Sequence, residues 1–341
     1  MLRLPPFKYH SPSSIADAVA LKAEYGESGM YSAGGTDLFP NMKRRQFTPK
    51  NLIGLAELKE LQTISEENSA KGLLIGSGVS LTEVAENHKI RELFPALSQA
   101  ATLVSAPQLR NMGTIGGNLC LDTRCNYYNQ SFQWRKALGF CLKKDGDICW
   151  VARSSPKCLA VSSSDCATVV MALNAEFNLV GPEGKRTVPA NEFYKNDGAE
   201  FLNKTRDELL VSISLPLHKG WQMNYKKLRK RDSIDFPILG VAAALRLENF
   251  GSSGALEKTK STLKCAEIRI VLGAVASSPL RAFEAEEILI GKPLTEERIE
   301  AASQLAAKLA KPMDNTDMSL GFRKKMVALF VAKALKDTLK N

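Results

Sequence analysis

The chain has 341 residues, 44% of them hydrophobic and 24% charged, with a formal net charge of +10. That length exceeds one small core and suits two or three modest domains, and the composition excludes an extended disordered chain. No apolar run reaches the ~18 to 20 residues that span a bilayer, and Met1 to Phe7 lacks the charged, apolar and small-residue sections of a signal peptide. A cytoplasmic location with no membrane partner is expected.

Phe7 to His10 reads as a short strand, and Ser13 or Ser14 caps an amphipathic helix running to about Tyr25. Met30 to Ser32 forms a second strand that stops at Ala33-Gly34-Gly35-Thr36-Asp37-Leu38, and Leu52 to Gly54 a third. Strands alternating with helices predict a small parallel sheet. Leu73 to Ile75 is a strand ending in Gly76-Ser77-Gly78. Ser80 or Thr82 opens a helix, and another spans Ile90 to Val104. Ala167 to Leu173 reads as helix, and Ala175–Val180 with Arg186–Val188 as a hairpin across Gly181-Pro182-Glu183-Gly184. Leu209 to Leu215 is a strand closed by Pro216. Met223–Leu228, Gly240–Leu247 and Ile268–Ala274 alternate as antiparallel strands do. Helices follow at 279–291, 296–310 and 321–338.

Two glycine loops carry chemistry. In Gly34-Gly35-Thr36-Asp37 a strand runs into paired glycines, which free backbone N–H groups to approach an anion, and Thr36 adds a hydroxyl. Thr114-Ile115-Gly116-Gly117-Asn118 repeats the pattern after Arg110-Asn111. Together they could grip one pyrophosphate from both sides; singly, each reads more readily as an ordinary glycine turn. Neither fits G-x-G-x-x-G or G-x-x-x-x-G-K-[ST], which disfavours a simple NAD-type or ATP-type site. The basic run Lys226, Lys227, Arg229, Lys230, Arg231 reads as a solvated strand end or a docking face for acidic groups, ahead of a nucleic-acid contact. His10, His88 and His218 show no ligand-like spacing and read as structural or surface residues.

Six of seven cysteines fall between 120 and 166, a clustering that argues for metal or redox chemistry in a cytosolic protein. Cys125, Cys141, Cys149 and Cys158 are spaced C-x15-C-x7-C-x8-C, without the C-x2-C pairs of zinc knuckles or the tight runs of ferredoxins. Spacing alone does not decide between a metal site and separate buried thiols.

The loops Ala33–Leu38 and Arg110–Asn118, with Ser164-Asp165 opening a helix and Tyr225–Arg229 through Asp235, resemble the FAD-binding medium subunit of molybdenum hydroxylases. That family includes xanthine dehydrogenase, carbon monoxide dehydrogenase and 4-hydroxybenzoyl-CoA reductase. The resemblance implies an α+β fold. A two-lobed FAD-binding domain, with a parallel-sheet lobe at 1–57 and an antiparallel-sheet lobe at 58–217, precedes a C-terminal domain of antiparallel sheet plus helix bundle at 218–341. It implies FAD between the lobes, with its diphosphate held by Ala33, Gly34, Gly35, Thr36, Asp37 and Leu38 and by Arg110, Asn111, Thr114, Ile115, Gly117 and Asn118. Asp165 would contact the adenosine or ribityl part, and Lys227 would lie near the isoalloxazine.

In the family's usual form the second glycine loop runs quickly into the Ser164-Asp165 helix. Here the Cys-rich stretch at about 120–163 intervenes. Its position and spacing are similar to the [4Fe–4S] loop of the 4-hydroxybenzoyl-CoA reductase branch, which implies Cys125, Cys141, Cys149 and Cys158 as ligands. Cys166 is the main rival ligand, Cys120 packs as a small hydrophobe and Cys265 is a core residue. The resemblance further implies an electron-transfer subunit with no catalytic acid, base or nucleophile of its own. Its partners would be a [2Fe–2S] subunit and a molybdenum-cofactor subunit in a dimerised heterotrimer, with reduced ferredoxin as donor. The alternatives are the flavin subunit of another molybdenum hydroxylase, oxidising a heterocycle or aldehyde, and a zinc-stabilised basic binding module.

Overall fold

The computed structural model describes residues 3–67, 72–249 and 263–340. The first unit comprises β1 (Lys8–His10), α1 (Ile15–Tyr25), β2 (Gly29–Ser32), α2 (Leu38–Lys43) and β3 (Asn51–Gly54). Its sheet, in the order β1-β3-β2, is parallel throughout. Ser14 caps α1 by accepting from Asp17 N at 3.0 Å.

The second unit opens with β4 (Ile64–Glu67) and β5 (Gly72–Gly76). A run of short helices follows: α3 (Leu81–Glu86), α4 (His88–Leu93), α5 (Pro95–Thr102), α6 (Pro107–Met112), α7 (Ile115–Leu119), α8 (Phe132–Ala137) and α9 (Asp165–Ala172). It closes with β6 (Glu176–Gly181), β7 (Gly184–Pro189), α10 (Ala190–Phe193) and β8 (Leu209–Pro216). The antiparallel sheet runs β4-β5-β8-β6-β7. The single helix expected over 90–104 is two. Phe94 sits at φ −136°, ψ 56°, because the ring of Pro95 excludes it from helical geometry, and Pro95 starts α5.

The third unit holds β9 (Trp221–Leu228), β10 (Leu239–Asn249), β11 (Leu263–Gly273), β12 (Leu280–Arg281), α11 (Phe283–Glu287), α12 (Glu296–Leu309) and α13 (Leu320–Thr338). The sheet order is β12-β11-β10-β9, antiparallel. The helix expected at 279–291 is shorter, because Leu280 and Arg281 pair with β11 as an edge strand.

Alternation along β10 explains how these units join. Leu239, Val241, Ala243 and Leu245 enter a core with α12 and α13, whereas Ala242 and Ala244 point the other way into the core of the second unit. That second face is built from small residues. A Cβ at Gly273 would collide with Thr168 of α9, so the helix lies directly on the sheet.

Phe177 is fully buried and stacks on Phe193 with ring centroids 4.1 Å apart. Phe177→Ala is expected to cost about 3–5 kcal/mol of folding free energy. Leu329→Ala, at an exposed position of α13, should cost under about 1 kcal/mol. Denaturant titration of both variants checks the pair.

Candidate functional site: two glycine loops and a cysteine cavity

β2 ends at Ser32 and the chain turns through Ala33–Asp37 into α2. A Cβ at Gly34 would collide with the Met112 carbonyl and stand 3.1 Å from Gly113 Cα. The two glycine loops therefore meet backbone to backbone, which only a residue without a side chain permits. Gly35 takes φ +69°, and a Cβ there would strike the Phe39 ring. Among the described residues, the N–H groups of Gly34, Gly35, Thr36 and Asp37 donate to no protein acceptor. They form a half-buried run of free donors.

The second loop is built differently from the first. Thr114 caps α7, and the loop's N–H groups are mostly committed: Ile115 to Val79 O and Gly116 to Ser77 O, both at 2.9 Å, and Gly117 to Thr114 Oγ1 at 3.1 Å. A Cβ at Gly116 would come within 2.5 Å of Ser77 Cβ, so this glycine lets α7 lie on the turn at Gly76-Ser77-Gly78. That supporting turn was visible in the sequence only as a strand end. Gly117 is exposed. Asn118 Oδ1 accepts from Ser164 Oγ at 2.7 Å, which leaves its amide NH2 without an acceptor among the described residues.

Arg110 donates to Val104 O at 2.9 Å, and Asn111 accepts from Thr82 at 2.6 Å. Both fix α6 in place. Asp165 and Lys227 form a closed pair at 2.9 Å, with side chains 4% and 1% exposed. Asp165 also accepts from Tyr225 at 2.7 Å, and Lys227 donates to Leu103 O and Asp235 O at 2.9 Å each. All three Lys227 donors thus have protein acceptors. Burial pushes the Asp165 carboxyl up, and the Lys227 charge opposes that. The rest of the basic run is paired too. Lys226 meets Asp337 at 2.7 Å, Arg231 meets Asp235 at 2.9 Å and Lys230 faces Asp317 at 3.8 Å.

Cys125, Cys141, Cys149 and Cys158 are all buried and line one cavity of about 10 Å³ with Tyr127, Tyr128, Lys143 and Trp150. Among the described residues, no carboxylate or imidazole lines it. Burial pushes the Cys125 thiol up to about 11 and the Cys158 thiol up to about 12. Among the described residues, no three His, Cys, Asp or Glu side chains are arranged to hold a single metal ion. Cys166 lies instead in the core of the second unit, with Cys120 packed against that core, and Cys265 lies in the core of the third. The histidines are elsewhere: His10 bonds Asn51, His218 bonds Leu173 O and His88 faces solvent. A separate cavity of about 670 Å³ opens between α1 and the β6–β7 hairpin, lined by residues including Ile15, Asn178 and Arg186, and neither glycine loop reaches it.

Residues 5–218 match the FAD binding domain in molybdopterin dehydrogenase, and residues 223–338 match the CO dehydrogenase flavoprotein C-terminal domain. The chain belongs to the FAD-binding subunits of the molybdenum hydroxylase family. This flavin subunit is 30% identical to the carbon monoxide dehydrogenase medium chain of Hydrogenophaga pseudoflava, over 97% of its own length and 96% of the relative's. It is 32% identical to the aldehyde oxidoreductase FAD-binding subunit of Escherichia coli, over 81% and 83%. Reconstituted CO dehydrogenase from Oligotropha carboxidovorans superposes with a TM-score of 0.78 at 28% identity, covering 99% of each chain. The zinc-stabilised basic module is thereby overturned as a reading. Among the described residues no helix is long and apolar enough to cross a membrane.

Two outcomes follow for the flavin subunit. Gly34→Ala forces the loops apart and should lower FAD affinity by about tenfold or more. Gly321→Ala, where an added Cβ meets nothing within 4 Å, should leave FAD affinity unchanged; flavin titration of the two variants compares them. In the metal-free chain, Cys125 and Cys158 should react with iodoacetamide at pH 8 at least about 100-fold more slowly than free cysteine, Cys158 about tenfold more slowly than Cys125, because only the thiolate attacks. Since burial raises both thiols, their rates should climb toward pH 11. Mass-spectrometric alkylation kinetics measures this.

Proposed function

We propose that this chain carries, besides FAD, an iron–sulfur centre on its inserted loop, and hands electrons between an external donor and the partner subunits of a molybdenum enzyme. The observation that carries this reading is the convergence of Cys125, Cys141, Cys149 and Cys158 on one cavity, with Cys120, Cys166 and Cys265 elsewhere. Four soft thiolate donors suit a [4Fe–4S] cluster. Cys125, Cys141, Cys149 and Cys158 would hold such a centre, and it would supply one-electron transfer. Tyr127, Tyr128 and Trp150 would shield such a centre from water, and Lys143 beside it is already paired with Asp122 at 2.7 Å, so the lining adds little net charge.

FAD exchanges one or two electrons when bound, and a cluster one at a time; the chain's task is placement. The free N–H groups of Gly34 to Asp37 would hold the diphosphate, with the Thr36 and Thr114 hydroxyls and the Asn118 amide completing the donor set. Ala33, Leu38 and Gly117 would shape the walls, and Ile115, buried in the second unit's core, would anchor α7 behind them. Arg110 and Asn111 act by fixing α6, and the Asp165–Lys227 pair by locking α9 to β9 beside the flavin. Residues 1–57, 58–217 and 218–341 serve as the two flavin lobes and the C-terminal domain.

The assembly we propose is a cytoplasmic, dimerised heterotrimer with a [2Fe–2S] subunit and a molybdenum-cofactor subunit. Reduced ferredoxin would feed it, and 4-hydroxybenzoyl-CoA would be dehydroxylated to benzoyl-CoA. The cysteine loop supports this reductive direction. A second reading, oxidation of an aldehyde or heterocycle, is favoured by the relatives, which are named carbon monoxide dehydrogenase and aldehyde oxidoreductase.

Flavin, iron and sulfide analysis of the anaerobically purified chain should give one FAD and about four irons. FAD without iron removes the cluster. Turnover of 4-hydroxybenzoyl-CoA by the assembled complex with a low-potential donor supports the reductive reading. Turnover of an aldehyde or purine in its place selects the second.

A further inference from the structure

We infer that the inserted loop clamps the flavin loop, and that Arg124 and Arg135 are the positioning residues through which it does so. The inference rests on residues 33–37 being the flavin loop. Those residues lead straight into α2, a helix of six residues. Helices that short are not stable on their own. Asp37 stands at its N-cap position, yet its side chain makes no capping bond. It accepts instead from Asn41 Nδ2 at 2.9 Å and pairs with Arg124.

Arg124 belongs to the neck of the insertion. Its backbone exchanges two hydrogen bonds with Val161, at 2.8 and 2.7 Å, and so closes the base of the loop. Its buried side chain reaches out to Asp37, approaches Asn41 Oδ1 at 3.4 Å and lies over the Phe236 ring at 4.6 Å. One guanidinium therefore ties the loop's neck, the flavin loop and the third unit together.

The other end of α2 is held from the same insertion. Arg135, on α8, is 2% exposed, and its Nη2 donates to Arg44 O at 3.2 Å and Arg45 O at 3.0 Å. These carbonyls lie where the chain leaves α2, at an Arg45 with φ +62°. Gln46 Nε2 donates back to Tyr128 O at 2.7 Å. A buried guanidinium is unfavourable unless bonded, and among the described residues Arg135 Nε and Nη1 find no hydrogen-bond partner. Beside the Phe132 and Phe140 rings at 5.9 Å, these two carbonyls supply the hydrogen bonds of the buried guanidinium, so the loop closes fully only when α2 is in place. Order in 124–161 and order in the flavin loop are linked, and such linkage is reciprocal.

The test uses the full chain, stripped of flavin and titrated with FAD. Arg124→Gln and Arg135→Met should each weaken FAD binding by about tenfold or more, with Arg124→Lys intermediate because the charge returns without the fork. Lys136→Gln, an exposed neighbour on α8, should stay within about twofold. Hydrogen exchange supplies the second readout. In the wild-type chain FAD should slow exchange across 124–161 as well as 37–46, and in Arg124→Gln the slowing at 124–161 should vanish. FAD affinity unchanged in both variants overturns the clamp, as does wild-type FAD binding that leaves exchange at 124–161 untouched. If Arg135→Met does not fold, Arg124→Lys and the wild-type exchange decide. A wild-type chain that takes up no FAD overturns the flavin-loop reading and the clamp with it.

Discussion

The site depends on one close approach. Gly34, at the end of a parallel strand in one unit, lies against the Met112–Gly113 peptide of another, with no room for a single carbon between them. Everything that faces the proposed diphosphate is organised by that contact. It fixes where the free N–H groups of residues 34–37 point, and it brings the Thr36 hydroxyl beside Gly113. A side chain at Gly34 would separate two lobes rather than disturb one turn, since the opposing atoms are backbone and cannot rotate away.

The two glycine loops share a pattern and do different work. In the first, glycine leaves donors open to an anion. In the second, Gly116 lets α7 settle on the Ser77 turn, and most loop N–H groups are satisfied within the protein. The pair is a donor row pressed against a rigid support. The support extends further: Asn118 bonds Ser164, Ser164 caps α9, and α9 carries Asp165 into the pair with Lys227 of β9. A chain of short polar contacts thus runs from the second glycine loop to the sheet of the third unit.

Local order was legible where one periodicity dominated. The β6–β7 hairpin, α1 behind its Ser14 cap and the alternating strands β9 to β11 follow from spacing and turn chemistry. The break at Pro95 was equally readable, but the apolar spacing of Ile90, Leu93, Leu97 and Ala100 runs across it at helical period and concealed it. What depends on distant partners was not legible. Lys227 sits in a run of five basic residues and looked solvated, yet Asp165, 62 positions away, draws it into the core. Thr114-Ile115-Gly116-Gly117 looked like an open loop, because the Ser77 carbonyl that holds Gly116 lies on another element. The convergence of four cysteines with spacings of 15, 7 and 8 residues could be suspected but not read from periodicity.

The inserted loop poses the sharper physical question of what orders it. Between Cys125 and Cys158 its regular structure is the six-residue α8. Its own apolar cluster is small: Cys125, Tyr128, Cys141, Cys158 and Ala160. Ordering a segment of this length costs about 1–2 kcal/mol per residue in backbone entropy alone, which so few buried side chains do not offset. Thiols driven up by burial add no charge interactions of their own at neutral pH. Two further contributions remain. On the reading proposed here, thiolate–iron bonds close the loop from inside, as bound metals do in other small cores. From outside, Arg124 and Arg135 hold it to α2, while Asn126 N donates to Asn315 O at 2.8 Å and Ser162 N to Ala276 O at 3.0 Å, fastening it to the third unit. On that reading, an excursion tied at its neck, its middle and its exit belongs to the cofactor framework, and its length is compatible with a rigid flavin site.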